Sequence, residues 1–458
     1  VRFHPAVLMV MVWAACMGLF YILPFQLENR FMTLYGFMIL ALFIAVFCAG
    51  ALSASLPMAQ RPLPPGTTVD FRLADRALML AASIAILAAL ADTAGRNVFD
   101  LAASYEIRSD RAGDLMAGRG SDSTIWFQLA FVTYPAGYVY IVREVAFRLR
   151  PVPWKIGVFG LLPVALASLA MGGRAPLFYA LLMLVYGFAL RRQLFPPKPA
   201  ATRRPAPPAG WRPGMPRPTL RSKTPFRLNA PAKAAIGVLG LAMLVYFVQV
   251  FSARADVAGG IDAMFGVAGG QWGVNFNGRG SDVFFSLLGP DATYMVFVFV
   301  WYWIQGYVMS NAVFSTYDGP ALLGVYGIDL ISALMRRLNG QFVADGYSHL
   351  GAINVYGFLP SAFGALYVDL KFFGLLVSGG WGWLTGLVYR RVKQGVDPRW
   401  LLAVPFVTLG IAFSTIGTPI GFSNGLVTHF WMVLTLVLSR TIRVQTPPAA
   451  GSPARRKA

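Results

Sequence analysis

The sequence predicts an all-α, polytopic integral membrane bundle of about ten transmembrane helices (ten to twelve), with a long external loop region containing short interfacial helices. Three observations carry that prediction. Hydrophobic residues make up 57% of the 458 positions and charged residues 13%, which is more apolar surface than one soluble core buries. The apolar residues fall in runs that reach, or nearly reach, the length of a bilayer crossing. Lys and Arg gather in alternate loops, as the positive-inside rule requires of a multi-pass chain.

In chain order the runs lie at about 6–23, 32–56, 77–92, 125–142, 156–171, 175–190, 235–252, 372–389, 401–418 and 426–439. The first has no small-residue cleavage site before the next run and reads as a retained span. Six spans within 1–190 form an amino-terminal bundle. Residues 191–233 carry 11 basic and no acidic side chains among prolines and alanines, which predicts an extended cytoplasmic linker able to lie on anionic lipid. Span seven (234–252) leads to an external region (253–371), the last spans (372–440) and a basic tail (441–458). Within the external region, Thr293–Val308 is apolar but carries Trp301, Tyr302, Trp303 and Tyr307. Aromatic residues suit the headgroup layer, so this stretch is expected to lie in the interface or re-enter. A crossing there would need a second near 352–368. In the span after Lys371, Ser378, Gly382 and Gly386 fall four apart and predict close packing of a neighbouring helix.

With the amino terminus in the cytoplasm, the inner loops and tails hold 28 of the 39 Lys/Arg and 4 of the 19 Asp/Glu. Both termini are then cytoplasmic. Topology accounts for most of the net charge of +20, so the bilayer is an expected partner and nucleic acid is not. Cys16 and Cys48 lie inside apolar runs and imply no disulfide framework. His4, His349 and His429 lack neighbours at metal-ligand spacing, so no metal and no cofactor is expected.

On the outer side no charge rule calls for arginine, so Arg96, Arg108, Arg111, Arg119, Arg174, Arg254, Arg279, Arg336 and Arg337 each need a local reason. Arg119 and Arg279 sit in identical pentapeptides, Gly118–Asp122 and Gly278–Asp282, each just before an apolar segment. Glycines free the backbone, Ser or Asp caps the following helix, and arginine beside helix-terminal N–H groups can meet a phosphate. A capped helix start with an interfacial arginine explains the first copy equally well. Arg174 lies in the tight turn Met171–Pro176 and Arg254 closes the seventh span; either can snorkel to the surface.

A Walker-type loop, a supported Ser/His/Asp set and a metal cluster are all missing from the sequence, so nucleotide hydrolysis, peptide cleavage and metal-assisted chemistry lack residues. External arginines beside carboxylates and aromatic surface fit a lipid-linked diphosphate bearing a sugar. Arginine pairs bidentately with phosphate, aromatic faces cover sugar rings, and a carboxylate or histidine takes a proton from an acceptor hydroxyl. Arginine can also replace a metal ion on a leaving diphosphate.

The sequence Asn354-Val-Tyr-Gly357, followed by Tyr367-Val-Asp369, Gly374 and a glycine-rich span ending at Tyr389, resembles the signature of bacterial oligosaccharide repeat-unit polymerases. In these Wzy-type O-antigen and exopolysaccharide polymerases the pattern is approximately Asn-Val-Tyr-Thr, then Tyr-x-Asp-Phe-Gly-x-x-Gly, then a span. About forty residues carry the resemblance. Gly357 stands in place of Thr, and Leu370-Lys371 in place of Phe-Gly. The turn at Arg174 and the segment Tyr302–Phe314 with Asn311 resemble the family more weakly. The resemblance implies a metal-independent glycosyltransferase of the bacterial inner membrane. Such an enzyme moves a growing glycan from undecaprenyl diphosphate onto another lipid-linked repeat unit at the periplasmic face, building O-antigen, capsule or exopolysaccharide. It implies a repeat-unit flippase and a chain-length regulator as partners.

On that reading Arg279 and Arg254, with Arg174 and Arg119 as further candidates, bind the diphosphate. Asn354, Tyr356 and Tyr367 hold the glycan, Asp369 and Asn354 organise the site, and Asp282 or His349 is the base. The plain alternatives are an exposed loop histidine for His349 and, for Asp369, a cap of the span that starts at Lys371. Two other functions compete. A flippase or transporter of lipid-linked sugars predicts charge within spans, broken helices and repeated halves. An O-antigen ligase-type glycosyltransferase differs only in its acceptor.

Overall fold

The computed structural model describes residues 3–22, 25–27, 32–56, 67–94, 110, 113–114, 117, 119, 124–171, 173, 175–194, 230–257, 259–276, 279–353, 360–395 and 397–443. Most of the linker, the tail from 444 on, Arg174, Asn354 and Tyr356 lie outside the described residues.

The helices α1 (Pro5–Ile22) and α2 (Leu34–Ser55) form the first hairpin, with Thr33 capping α2 by accepting from the Gly36 N–H. Then follow α3 (Arg72–Thr93), α4 (Ile125–Phe147, bent at Tyr134-Pro135), α5 (Pro153–Ala170) and α6 (Ala175–Leu194). Next come α7 (Ala230–Val257), α8 (Ile261–Trp272), α9 (Arg279–Thr316) and α10 (Asp329–Ala352). The carboxy-terminal part holds α11 (Ser361–Leu370), α12 (Gly374–Lys393), α13 (Pro398–Thr415) and α14 (Gly425–Leu438). Two short antiparallel pairs join distant connections: β1 (Gln26–Leu27) with β3 (Val274–Asn275), and β2 (Thr67–Asp70) with β4 (Arg440–Arg443). Among the described residues ten helices are long and apolar enough to cross a membrane. The chain is therefore a polytopic helical membrane protein.

The basic connections meet at one end of the bundle. Besides the β2–β4 pair, Arg399 donates to the Ser439 carbonyl at 2.9 Å, and Arg191 donates to the carbonyls of Val145, Arg148 and Leu149. Arg390 donates to the Leu56 carbonyl, and His4 pairs with Ser55. Arginine forks satisfy helix-end carbonyls here, the favoured place for a cation. This is the basic face. The α1–α2 connection, with β1 and β3, marks the opposite face.

The ten candidate crossings differ in membership from the sequence expectation. Thr293–Val308 belongs to the 38-residue α9, broken at Gly289 (φ 74°, ψ 171°) ahead of Pro290. Of the four aromatic residues expected at a headgroup layer, Trp301 and Tyr307 are each 2% exposed and Trp303 stacks on Phe413, whereas Tyr302 is 37% exposed. The first three pack inward because α9 runs across the first hairpin. Phe284 and Phe297 meet Phe25, Tyr307 meets Phe20, and Asn311 accepts from the Thr33 N–H at 2.8 Å. Both ends of α9 thus reach the α1–α2 connection. At the carboxy-terminal end, α14 has 14 residues, a rise of about 21 Å, which is shorter than the expected 426–439 crossing requires.

Nor is Ser361–Lys393 one straight span. The chain reverses at Lys371 (φ 53°), bringing Gly374 against the Leu366 carbonyl and Trp381 to 6.1 Å from Phe363. The ten residues of α11 rise only about 15 Å. It is a half-helix that returns, its start held by Ser310, which bonds Ser361 and the Pro360 carbonyl.

The small-residue face of α12 packs on α2. Ser378 donates to the Phe43 carbonyl at 3.0 Å, and a Cβ added at Gly382 or Gly386 would collide with the backbone carbonyl of Phe47 or Ala51. Backbone cannot retreat as a flexible side chain can. Gly382→Val is therefore expected to separate the pair at a cost above the usual overpacking range of about 1–3 kcal/mol. The yield and melting temperature of the purified variant measure it; wild-type values would show that the pair tolerates separation.

The helices run past the apolar runs, so α3 includes Asp75 and α4 includes Arg143 and Glu144. Arg143 bridges Asp75 and Glu144, the latter at 2.7 Å, and Arg148 pairs with Glu144 at 2.9 Å. Glu144 also accepts from the Val152 N–H at 3.1 Å. Two cations and two anions balance, tying α3, α4 and the turn after it together.

Candidate functional site

Asp369, in the last turn of α11, is 4% exposed and fully engaged. One carboxylate oxygen accepts from the Tyr326 N–H at 2.9 Å and the other from the Gly327 N–H at 2.8 Å. The N–H groups of Leu322 and Leu323 donate to the carbonyls of Val368 and Asp369. Together these bonds strap residues 322–327 onto α11. Asp369 does not cap α12 in this arrangement; it positions the connection between α9 and α10. Asp369→Asn leaves one acceptor for two donors and is expected to cost about 1.5–3 kcal/mol. Faster proteolysis within 317–328 would register the loss, and unchanged protection would show that the strap does not depend on the carboxylate.

Backbone strain gathers in the same region. Leu323, Ser361, Lys371, Ser423 and Asn424 are the described non-glycine residues with positive φ, between 51° and 66°. All lie in α11 or in connections packed on it, since Gly421 seats on the Gly327 carbonyl. Such conformations cost about 1–3 kcal/mol each and cluster at functional sites. Lys371 extends over the Tyr317 ring at 3.8 Å, reaches the Tyr317 carbonyl at 3.2 Å and lies 5.4 Å from the Tyr367 ring. Tyr367 is buried edge-on between Phe314 and Phe372. His349 Nδ1 lies 3.1 Å from an Asp318 carboxylate oxygen at the surface.

The charge for an anion comes from α10, which is two helices joined at Asn339. On its first half Asp329, Ser332 and Arg336 share one face. The Ser332 hydroxyl and the Arg336 Nε are buried without a hydrogen-bond partner among the described residues. Burial pushes the Arg336 guanidinium down from its ordinary value, while Tyr347, Asp329 and Asp114 favour its charge. Tyr347, from the second half, lies 6.1 Å ring to ring from Tyr326, whose backbone Asp369 holds. Exposed Arg119 lies 3.8 Å from Asp114. Two contacts are thus made in this region, Arg119 with Asp114 and Tyr347 with Tyr326, the latter on the strap that Asp369 holds.

The predicted residues divide. Asp369, Tyr367, His349 and Arg119 belong to the α10–α11 region. Asp282 is exposed in the first turn of α9. The helix from Pro290 to Thr316 rises about 40 Å, so Asp282 and Asp369 lie near opposite ends of α9. Arg279 opens α9 and Arg254 lies in α7, their side chains outside the description, as are Arg174, Asn354 and Tyr356. Arg336 was one of nine arginines by charge counting, and Tyr326 and Tyr347 carried no sequence signal. The spacing Asp329, Ser332, Arg336 before the Asn339-Gly340 break was the available cue.

The fold defines a polytopic helical membrane protein, with Arg336 on α10 and the Tyr326–Tyr347 pair beside the Asp369 strap. No family model, curated protein or solved structure matches the chain.

Proposed function

We propose that the chain is a membrane glycosyltransferase that polymerises undecaprenyl-diphosphate-linked oligosaccharide repeat units on the periplasmic face of the bacterial inner membrane, producing O-antigen, capsule or exopolysaccharide. The observation that supports this reading is the half-buried Arg336, whose Nε has no hydrogen-bond partner among the described residues, on the helix that follows the strap held by the motif residue Asp369. An arginine with an unbonded Nε can donate to an anion, and its planar fork matches a phosphate.

In this reading Arg336, with Arg119 nearby, takes the diphosphate, and Tyr326 and Tyr347 flank the sugar. The acceptor hydroxyl attacks the anomeric carbon as the bond to the diphosphate oxygen breaks. His349, oriented by Asp318, takes the hydroxyl proton, and undecaprenyl diphosphate leaves with its charge held by arginine. Asp369 positions Tyr326.

A transporter of lipid-linked sugars is the second reading. The half-helix α11 favours it. Deleting the gene and examining lipid-linked intermediates separates the cases. Accumulated single repeat units support the polymerase. Full-length polymer that is never transferred points to a ligase, and units trapped on the cytoplasmic leaflet point to a transporter.

A further inference from the structure

A cavity of about 950 Å3 runs between α12, α13 and α14, at the upper end of the size of small-molecule sites. Its walls are apolar, including Val377, Leu384, Leu387, Val433 and Val437. Leu384, Val433 and Val437 leave half or more of their surface uncovered by protein. We infer that this groove takes the hydrocarbon chain of one polyprenyl lipid whose diphosphate head lies at the α10–α11 face; the choice of head rests on the function proposed above.

Continuity and charge set the direction. At one end the cavity is lined by Leu366 of α11 and by Thr418 to Ile420. Leu366 is one turn before Asp369, and the next residue, Gly421, seats on the strap at Gly327. This end therefore opens beside the candidate site. At the other end, on the basic face, Arg399 is bound to Asp397 at 2.7 Å and to the Ser439 carbonyl at 2.9 Å. That cation is already neutralised by the neighbouring carboxylate and offers little to a phosphate. The adjoining α14 rises about 21 Å, room for the head-proximal part of an extended undecaprenyl chain, and the apolar walls between the two ends exclude a headgroup from the groove itself.

The test uses the full chain in nanodiscs of phosphatidylethanolamine and phosphatidylglycerol, with undecaprenyl diphosphate and the short-chain farnesyl diphosphate as probes. Leu384→Trp and Val433→Trp fill the groove from exposed positions, and Leu87→Trp, exposed on α3, is the control. Undecaprenyl diphosphate affinity is expected to fall about tenfold in both groove variants and to stay unchanged in the control. Farnesyl diphosphate should bind weakly, equally to wild type and groove variants, and lose affinity in Arg336→Gln. Unchanged undecaprenyl diphosphate binding in both groove variants overturns the groove, as does equal competition by phosphatidylglycerol, which would mark it as a place for bulk lipid. A groove effect with no Arg336 effect retains the chain site and overturns the functional reading instead.

Discussion

Arg336→Ala is expected to abolish polymer while protein level, membrane insertion and melting temperature stay at wild-type values. Arg336 is half-buried and its Nε has no hydrogen-bond partner among the described residues. If it stabilises the departing diphosphate, the loss should be about 10²–10³ in polymerisation rate, the range for removing one preorganised donor to developing charge. Arg336→Lys should recover only part of this, because an ammonium supplies a point charge without the planar fork. The measurement is glycan chain length on gels together with turnover of a lipid-linked repeat unit by the purified protein. Wild-type chain length in Arg336→Ala would remove it from the site. A lowered melting temperature with proportionate loss of activity would assign it to structure instead.

The second large effect is expected at Glu144→Gln, where the readout is stability. Glu144 is fully buried and anchors Arg143, Arg148 and the Val152 N–H. Neutralising it leaves Arg143 buried with only Asp75 as counter-charge. Breaking a buried pair from one side costs about 3–5 kcal/mol. Arg148, with 38% of its side chain exposed, adds little because solvent screens it. A fall in melting temperature and yield is the expected result. Unchanged melting accompanied by lipid-linked units held on the cytoplasmic leaflet would support the transporter reading, in which a buried carboxylate carries function.

Most of the helices were legible because a bilayer crossing is a local property. Runs such as those in α1, α2 and α3 announce themselves by length and composition, and local sequence is sufficient for them. Charge patterning also grouped the basic loops correctly in space: the segments around Ser55, Arg148, Arg191, Arg390 and Arg440 meet at one end. The small-residue face of α12 was legible as a packing face, but its partner α2 lies over three hundred residues away and nothing local names it.

The site was less legible, for a related reason. Asp369 could be singled out, yet its partners Tyr326 and Gly327 are supplied by another connection. The aromatic residues of α9 suggested a headgroup layer because composition is the same whether a tryptophan faces lipid or protein; only the crossing over α1 and α2 decides which. Arginines on one face of a membrane are alike in sequence, and the partial burial of Arg336, with Nε lacking a hydrogen-bond partner among the described residues, is a property of three-dimensional packing. Local hydrophobicity and charge therefore specify the class of protein and the grouping of its loops. Which helices touch, which carboxylate is engaged and which arginines are buried depend on contacts between distant residues, and these exist only in the folded chain.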